Sequence, residues 1–285
     1  MDGPEILARS MSVPSVVDTQ GNHWQYHSRS DQHSKVACWA LLFDLMHHCP
    51  LLVQHIGLGK AGFGINHEMR DFTNNRKKDL DLVLCTPGTQ AMNAKKDKTN
   101  FRGLVEQYKI KLSAAQKAQL TGYPELRRVP VGSVHLALEA KAAMTEHIKA
   151  LPRLFDELNS SHLAIHGSAE FAIAAGFAIV NYAATFISPD RNKVDLKHHK
   201  PVITTHNQPK ATERTLEKLE EIPRRTQSGT EGFDALGIVV LKLQNDGTPV
   251  RIITAPPAPT IGDVWHYDQM IRRIASLYAN KFGNV

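Results

Sequence analysis

The segment Val134-His135-Leu136-Ala137-Leu138-Glu139-Ala140-Lys141 constrains the fold most. Alternation with period two makes it a β-strand, with Val134, Leu136, Leu138 and Ala140 on one face and His135, Ala137, Glu139 and Lys141 on the other. Glu139 and Lys141 then stand side by side, about 7 Å apart along the strand. A hard cation needs carboxylate oxygens, and one carboxylate is not enough. Lys78-Asp79-Leu80-Asp81-Leu82-Val83-Leu84 supplies a second acid on another strand-like run. Asp81 is bracketed by leucines and projects from an established strand, whereas Asp79 sits at its start and shares the same face.

An acid on one strand followed by Glu-x-Lys on another resembles the PD-(D/E)XK nuclease superfamily, the restriction-endonuclease-like fold. The resemblance rests on Asp81, Glu139 and Lys141 and covers roughly residues 65 to 185. A helical stretch follows the second strand, with Met144, Ile148, Leu151, Phe155 and Leu158 spaced as an apolar stripe. No proline precedes Asp81, and 57 residues separate it from Glu139, which asks for an inserted subdomain. The resemblance implies a Mg²⁺-dependent DNA endonuclease of restriction or defence type, with Mn²⁺ able to substitute. Asp81, Glu139 and the Ala140 carbonyl would hold the metal, with Asp79 and an early-helix Glu68 as auxiliary ligands, while Lys141 orients a water or steadies developing charge. Lys78, Thr145, His147 and Lys149 are candidate DNA contacts. Cutting double-stranded DNA further implies a homodimer.

The expected fold class is α/β: a central mixed sheet flanked by helices, with an N-terminal helical extension (1–60) ahead of a nuclease-like domain (61–285). Polar insertions are expected near 88–128 and 188–233. Residues 1–33 read as a loosely held leader, Ser34 as the cap of a helix to His48, Leu51–Ile56 as a short strand or buried segment, and the stretch up to Arg76 as polar helix. Phe171–Ala183 suits a strand buried on both faces, and Asp246-Gly247 between two apolar runs signals a hairpin. The last helix should bury Tyr267, Ile271, Ile274, Tyr278 and Phe282. In the insertion, Lys95, Lys96, Lys98, Arg102, Lys109, Lys111 and Lys117 read either as a solvated helical face or as a DNA-facing one.

The chain has 285 residues, 42% of them hydrophobic, enough for a core without staples. Three cysteines, Cys38, Cys49 and Cys85, lack metal or redox spacing and suit reduced core thiols in the cytoplasm. No apolar run approaches a membrane span, and the N-terminus lacks a signal-peptide pattern. Thirty-four Lys and Arg against 28 Asp and Glu give a formal charge of +6, which favours a polyanionic partner. Two other functions compete. A nuclease-like fold that binds DNA or assembles without cutting is one. The other is a nucleotide-cofactor enzyme of Rossmann type, from Gly57-Leu58-Gly59-Lys60-Ala61-Gly62 after an apolar run, with Asp79 or Asp81 as the ribose acid. The histidine pairs, among them His162 and His166, lack acid or cysteine partners at zinc spacing.

Overall fold

The structure, a computed structural model, describes residues 1–71, 74–89, 99–227 and 229–283. In chain order, helix α1 (Gly3–Met11) leads to a two-stranded ribbon, β1 (Val16–Val17) and β2 (His23–Trp24), then to helices α2 (Gln32–His48) and α3 (Pro50–Gly57). Strands β3 (Gly62–Asp71) and β4 (Arg76–Pro87) precede two short helices, α4 (Leu104–Gln107) and α5 (Ala114–Gly122). Strand β5 (Val131–Ala143), helix α6 (His147–Ser168) and strand β6 (Ile173–Asn181) follow. A second ribbon, β7 (Thr185–Ile187) and β8 (Ile203–Thr205), leads to helix α7 (Lys210–Glu220), strands β9 (Ala235–Lys242) and β10 (Arg251–Ile253), and helix α8 (Tyr267–Phe282).

The protein is α/β, built on a six-stranded mixed sheet in the order β10-β9-β6-β5-β4-β3. Strands β3, β4 and β5 form an antiparallel meander, β6 runs parallel to β5, and β9 runs parallel to β6. Helix α6 makes the crossover that a parallel β5–β6 pair requires. One face of the sheet carries Leu82, Leu84, Leu136, Leu138 and Phe177 against α1, α2 and α8. The other carries Val83, Ala137, Ala174 and Leu236 against α6 and α7. Covered on both faces, β6 is buried at all nine positions, as its unbroken apolar run requires. The β9–β10 hairpin is present, and the five apolar positions expected on α8 are all buried.

Four local expectations are corrected. The leader is no loose segment: α1 buries Ile6, Leu7 and Met11, and the Asp44 carboxylate of α2 accepts the Asp2 and Gly3 N–H groups at 2.9 and 2.7 Å. These bonds satisfy donors that a helix start leaves open. Residues 62 to 71 are strand, not helix, because pairing with β4 overrides their polar composition. Leu51–Ile56 belongs to helix α3, so the Gly57-to-Gly62 run links a helix to a strand. A dinucleotide turn links strand to helix, the reverse order; here Gly59, at φ 70°, merely turns the chain. Finally, the buried stripe of α6 is Leu154, Leu158, Ser161 and Ile165, leaving Ile148 57% exposed.

The 88–128 insertion holds α4 and α5, while Lys95, Lys96 and Lys98 lie outside the described residues. Arg102 is exposed, and its guanidinium donates to the carbonyls of Leu120, Thr121 and Tyr123 at the end of α5. In the 188–233 stretch, α7 packs on α6 through Leu216 and Leu219. The three cysteines are buried free thiols. Among the described residues, no single helix is long and apolar enough to cross a membrane.

Candidate active site

The site forms where β4 and β5 part. Their ladder runs through Leu84↔Leu136 and Val83↔Ala137 to Leu82↔Leu138 and then stops, one step before Asp81 and Glu139. Beyond that point the Asp81 carboxylate takes over: its Oδ2 accepts the Ala140 N–H at 3.0 Å. A side chain thus satisfies a strand donor that would otherwise be orphaned.

Alternation on β4 breaks at the same place. Leu82 and Leu84 face α2, yet Leu80 packs with Val83 on the α6 side. The neighbouring strand switches faces too, from Phe63 to Met69, around Asn66 at φ 50°. The switch turns Asp81 toward α2. Ser34 Oγ lies 3.0 Å from Asp81 Oδ1, and the Lys35 ammonium lies 3.2 Å from the same oxygen and also bonds the Asn66 side chain. Ser34 is therefore not the helix cap; α2 begins two residues earlier, after Asp31.

Glu139 keeps the alternation of β5 and points toward α6. Its side chain is 2% exposed; Oε1 lies 2.9 Å from the Lys141 ammonium and 3.8 Å from that of Lys78. Its Oε2 is buried with no hydrogen-bond partner. Burial, and next the negative charge of Asp81, push the Glu139 carboxyl above its usual range. Lys141 also reaches Glu157 of α6 at 3.3 Å, and Arg153 holds the other oxygen of Glu157 at 2.6 Å. Burial alone would lower the Lys141 ammonium, but Glu139 and Glu157 on either side hold it above its ordinary value. Glu157 is opposed by burial and nonetheless lowered by Arg153 and Lys141.

A cavity of about 430 Å³ opens onto this notch, lined by Tyr26, His33, Ser34, Asp81, Lys141, Arg153 and Glu157 among others. Burial drops the His33 imidazole to about 4, so the ring is neutral at pH 7. Burial likewise drives the Cys38 thiol far up, which removes it as a nucleophile.

The structure therefore places Asp81 on the α2 side of the strand opening, bonded to the Ala140 N–H, and Glu139 on its α6 side, paired with Lys141 and Lys78; Asp81, Ala140 and Lys141 line the cavity. The other candidates fall elsewhere. Asp79 is exposed and sits across from Glu68 in the β3–β4 ladder, away from the Ser34 and Lys35 contacts that hold Asp81. Glu68 lies on a strand, 48% exposed and paired with Lys77 at 2.8 Å, not on an early helix beside the notch. Thr145 lines the cavity and bonds His206. His147 is buried against the Asn181 carbonyl at 2.7 Å, and Lys149 is 80% exposed beside Glu146. Among the described residues, no three His, Cys, Asp or Glu side chains are grouped to hold a metal ion. His162 instead bonds Asn159 and the Gly232 N–H.

Sequence reading missed Ser34, Lys35, Arg153 and Glu157. A signal existed for Glu157, which adjoins the apolar stripe on α6 and lies four residues after Arg153. For Lys35 the signal was a lone cation heading the apolar run of α2. No protein-family model, curated protein or solved structure matches the chain.

Proposed function

We propose that the protein is a Mg²⁺-dependent DNA endonuclease with a restriction-endonuclease-like core. Support for that core comes from strands β4 and β5, crossover helix α6 and parallel β6, the order strand, strand, helix, strand that the family resemblance implies. One observation carries the reading: at the opening between β4 and β5, Asp81 is held on the Ala140 N–H, and Glu139, with a buried oxygen left unpartnered, pairs with a lysine that flanking acids keep protonated.

The donor set suits a hard cation. Mg²⁺ commonly keeps several waters and takes one or two carboxylates, so a pair of acids is sufficient. Asp81, Glu139 and the Ala140 carbonyl would hold it, and the orphaned Glu139 Oε2 would gain a partner. When bound, the ion supplies Lewis acidity and neutralises charge on a phosphodiester. Lys141, protonated at neutral pH, acts as a donor rather than a base: its ammonium orients water or meets negative charge growing on the phosphate. Ser34 and Ala140 N–H fix the Asp81 carboxylate, and Glu157 fixes Lys141. The excess of basic residues favours DNA as the polyanion, and cutting both strands would use two copies of the site in a homodimer.

A second reading, a DNA-binding or assembly subunit that does not cut, draws on the lysines. Lys35 already neutralises Asp81, while Lys141 and Lys78 neutralise Glu139. Incubating the purified chain with supercoiled plasmid separates the two. Nicked or linear product with Mg²⁺ and none with EDTA is expected. Retarded but intact plasmid under both conditions would refute cutting and leave the binding module.

A further inference from the structure

Asp81 has a companion that the proposed reaction does not use. The Lys35 side chain is 5% exposed, and its ammonium sits 3.2 Å from Asp81 Oδ1, 3.4 Å from the Asp81 carbonyl and in contact with the Asn66 side-chain oxygen. A carboxylate, a main-chain carbonyl and an amide oxygen are also the donors a hard divalent cation takes. Four residues earlier, just before α2, Asp31 Oδ2 lies 3.9 Å from the same ammonium, and this carboxylate is 69% exposed at the cavity wall. Asp31 precedes the helix but makes no side-chain cap bond, so its carboxylate is available to another partner.

We infer that Lys35 is the resident cation of Asp81, and that a divalent metal ion binds there by exchange, the ammonium passing to Asp31 as the metal takes Asp81. This deepens the proposed metal site and rests on it. Two like charges cannot share one carboxylate in a poorly hydrated notch without strong repulsion. A four-carbon stem with three rotatable donors lets the ammonium swing between partners one helical turn apart. Asp31 therefore assists the metal from outside its coordination, by drawing off the competing charge.

The two residues should act in opposite directions. Mn²⁺ titrated into the full chain without DNA, with free Mn²⁺ read by electron paramagnetic resonance, measures the affinity directly. Lys35→Gln should tighten binding about tenfold and Asp31→Asn should weaken it about threefold, since one removes the competitor and the other its alternative partner. The double variant should match Lys35→Gln, because without the ammonium Asp31 has nothing to hold. Asp81→Asn should abolish binding. Asp31 is exposed, so its variant reports even where Lys35→Gln does not fold. Unchanged or weaker binding in Lys35→Gln, unchanged binding in Asp31→Asn, or no Mn²⁺ binding in any form would overturn the exchange. Expected affinity ratios without plasmid cleavage would remove the nuclease and keep the exchange; cleavage with a flat Lys35→Gln ratio would do the reverse.

Discussion

Glu139 and Asp234 are both nearly excluded from solvent, with side chains 2% and 6% exposed, and both have lysine nearby, yet their surroundings differ. Asp234 precedes β9 and ties the start of β6. Its Oδ2 accepts the Ala174 N–H at 2.9 Å, its own N–H donates to the Ala174 carbonyl at 2.9 Å, and Lys281 lies 3.9 Å from Oδ1. Arg273 donates to the Asp234 and Arg225 carbonyls, drawing the seam together. The unpartnered buried atoms in this region are cationic N–H groups of Arg224 and Arg225, whereas at Glu139 the unpartnered atom is a buried carboxylate oxygen. A structural acid has both oxygens engaged; an acid suited to a cation has one to spare.

Substitution separates the two most sharply. Glu139→Gln should lower Mg²⁺-dependent plasmid cleavage about a thousandfold, the scale of losing one preorganised electrostatic group in a transition state. Its thermal midpoint should stay at or above that of the parent, since a buried charge with an unmet oxygen is removed. Equal cleavage by Glu139→Gln and the parent would end the comparison. Asp234→Ala should do the opposite. Cleavage per folded molecule holds, while urea unfolding reads a loss of about 3 kcal/mol, as expected when one partner of a buried ionic network is deleted. A lost activity with unchanged stability in that variant would move the site to the wrong region.

The regions also differ in sign against pH. Glu139 has a folded pKa above its unfolded value, so its stabilising contribution is full below the ordinary carboxylate range and is lost as pH rises through the raised value. Glu139→Gln should therefore gain on the parent in urea midpoint as pH goes from acid to neutral. His162, which bonds the Gly232 N–H beside the seam, is lowered by burial from 6.5 to about 4. Its contribution is full above 6.5 and is lost as pH falls toward 4. Replacing His162 by Gln should flatten that acid limb by about one proton. Parallel pH slopes for the two variants would contradict the assignment of charge states.

What the sequence discloses follows from range. Alternation reveals β5 and its Glu139–Lys141 pair, the unbroken apolar run reveals β6, and the stripe reveals α8, because each signal lies within one element. The turn of Asp81 toward α2 depends on a left-handed Asn66 in a different strand, which alternation cannot anticipate. Lys35 and Asp81 are 46 positions apart and meet only once α2 lies on the sheet. The polar segment around Glu68 reads as helix, and cross-strand pairing makes it strand instead.

That misplaced acid supplies the smallest effect and the control for all the others. Glu68 faces solvent opposite Asp79, and its carboxyl is lowered first by its hydrogen bond from Lys77 and then by that lysine's charge. An exposed pair of this kind is screened by water and salt and loses side-chain freedom when it forms. Glu68→Gln should leave the thermal midpoint, Mn²⁺ affinity and plasmid cleavage indistinguishable from the parent at physiological salt. A fall in Mn²⁺ affinity would mean that the carboxylate reaches the ion after all, which requires the β3–β4 hairpin to refold around the notch rather than stand away from it.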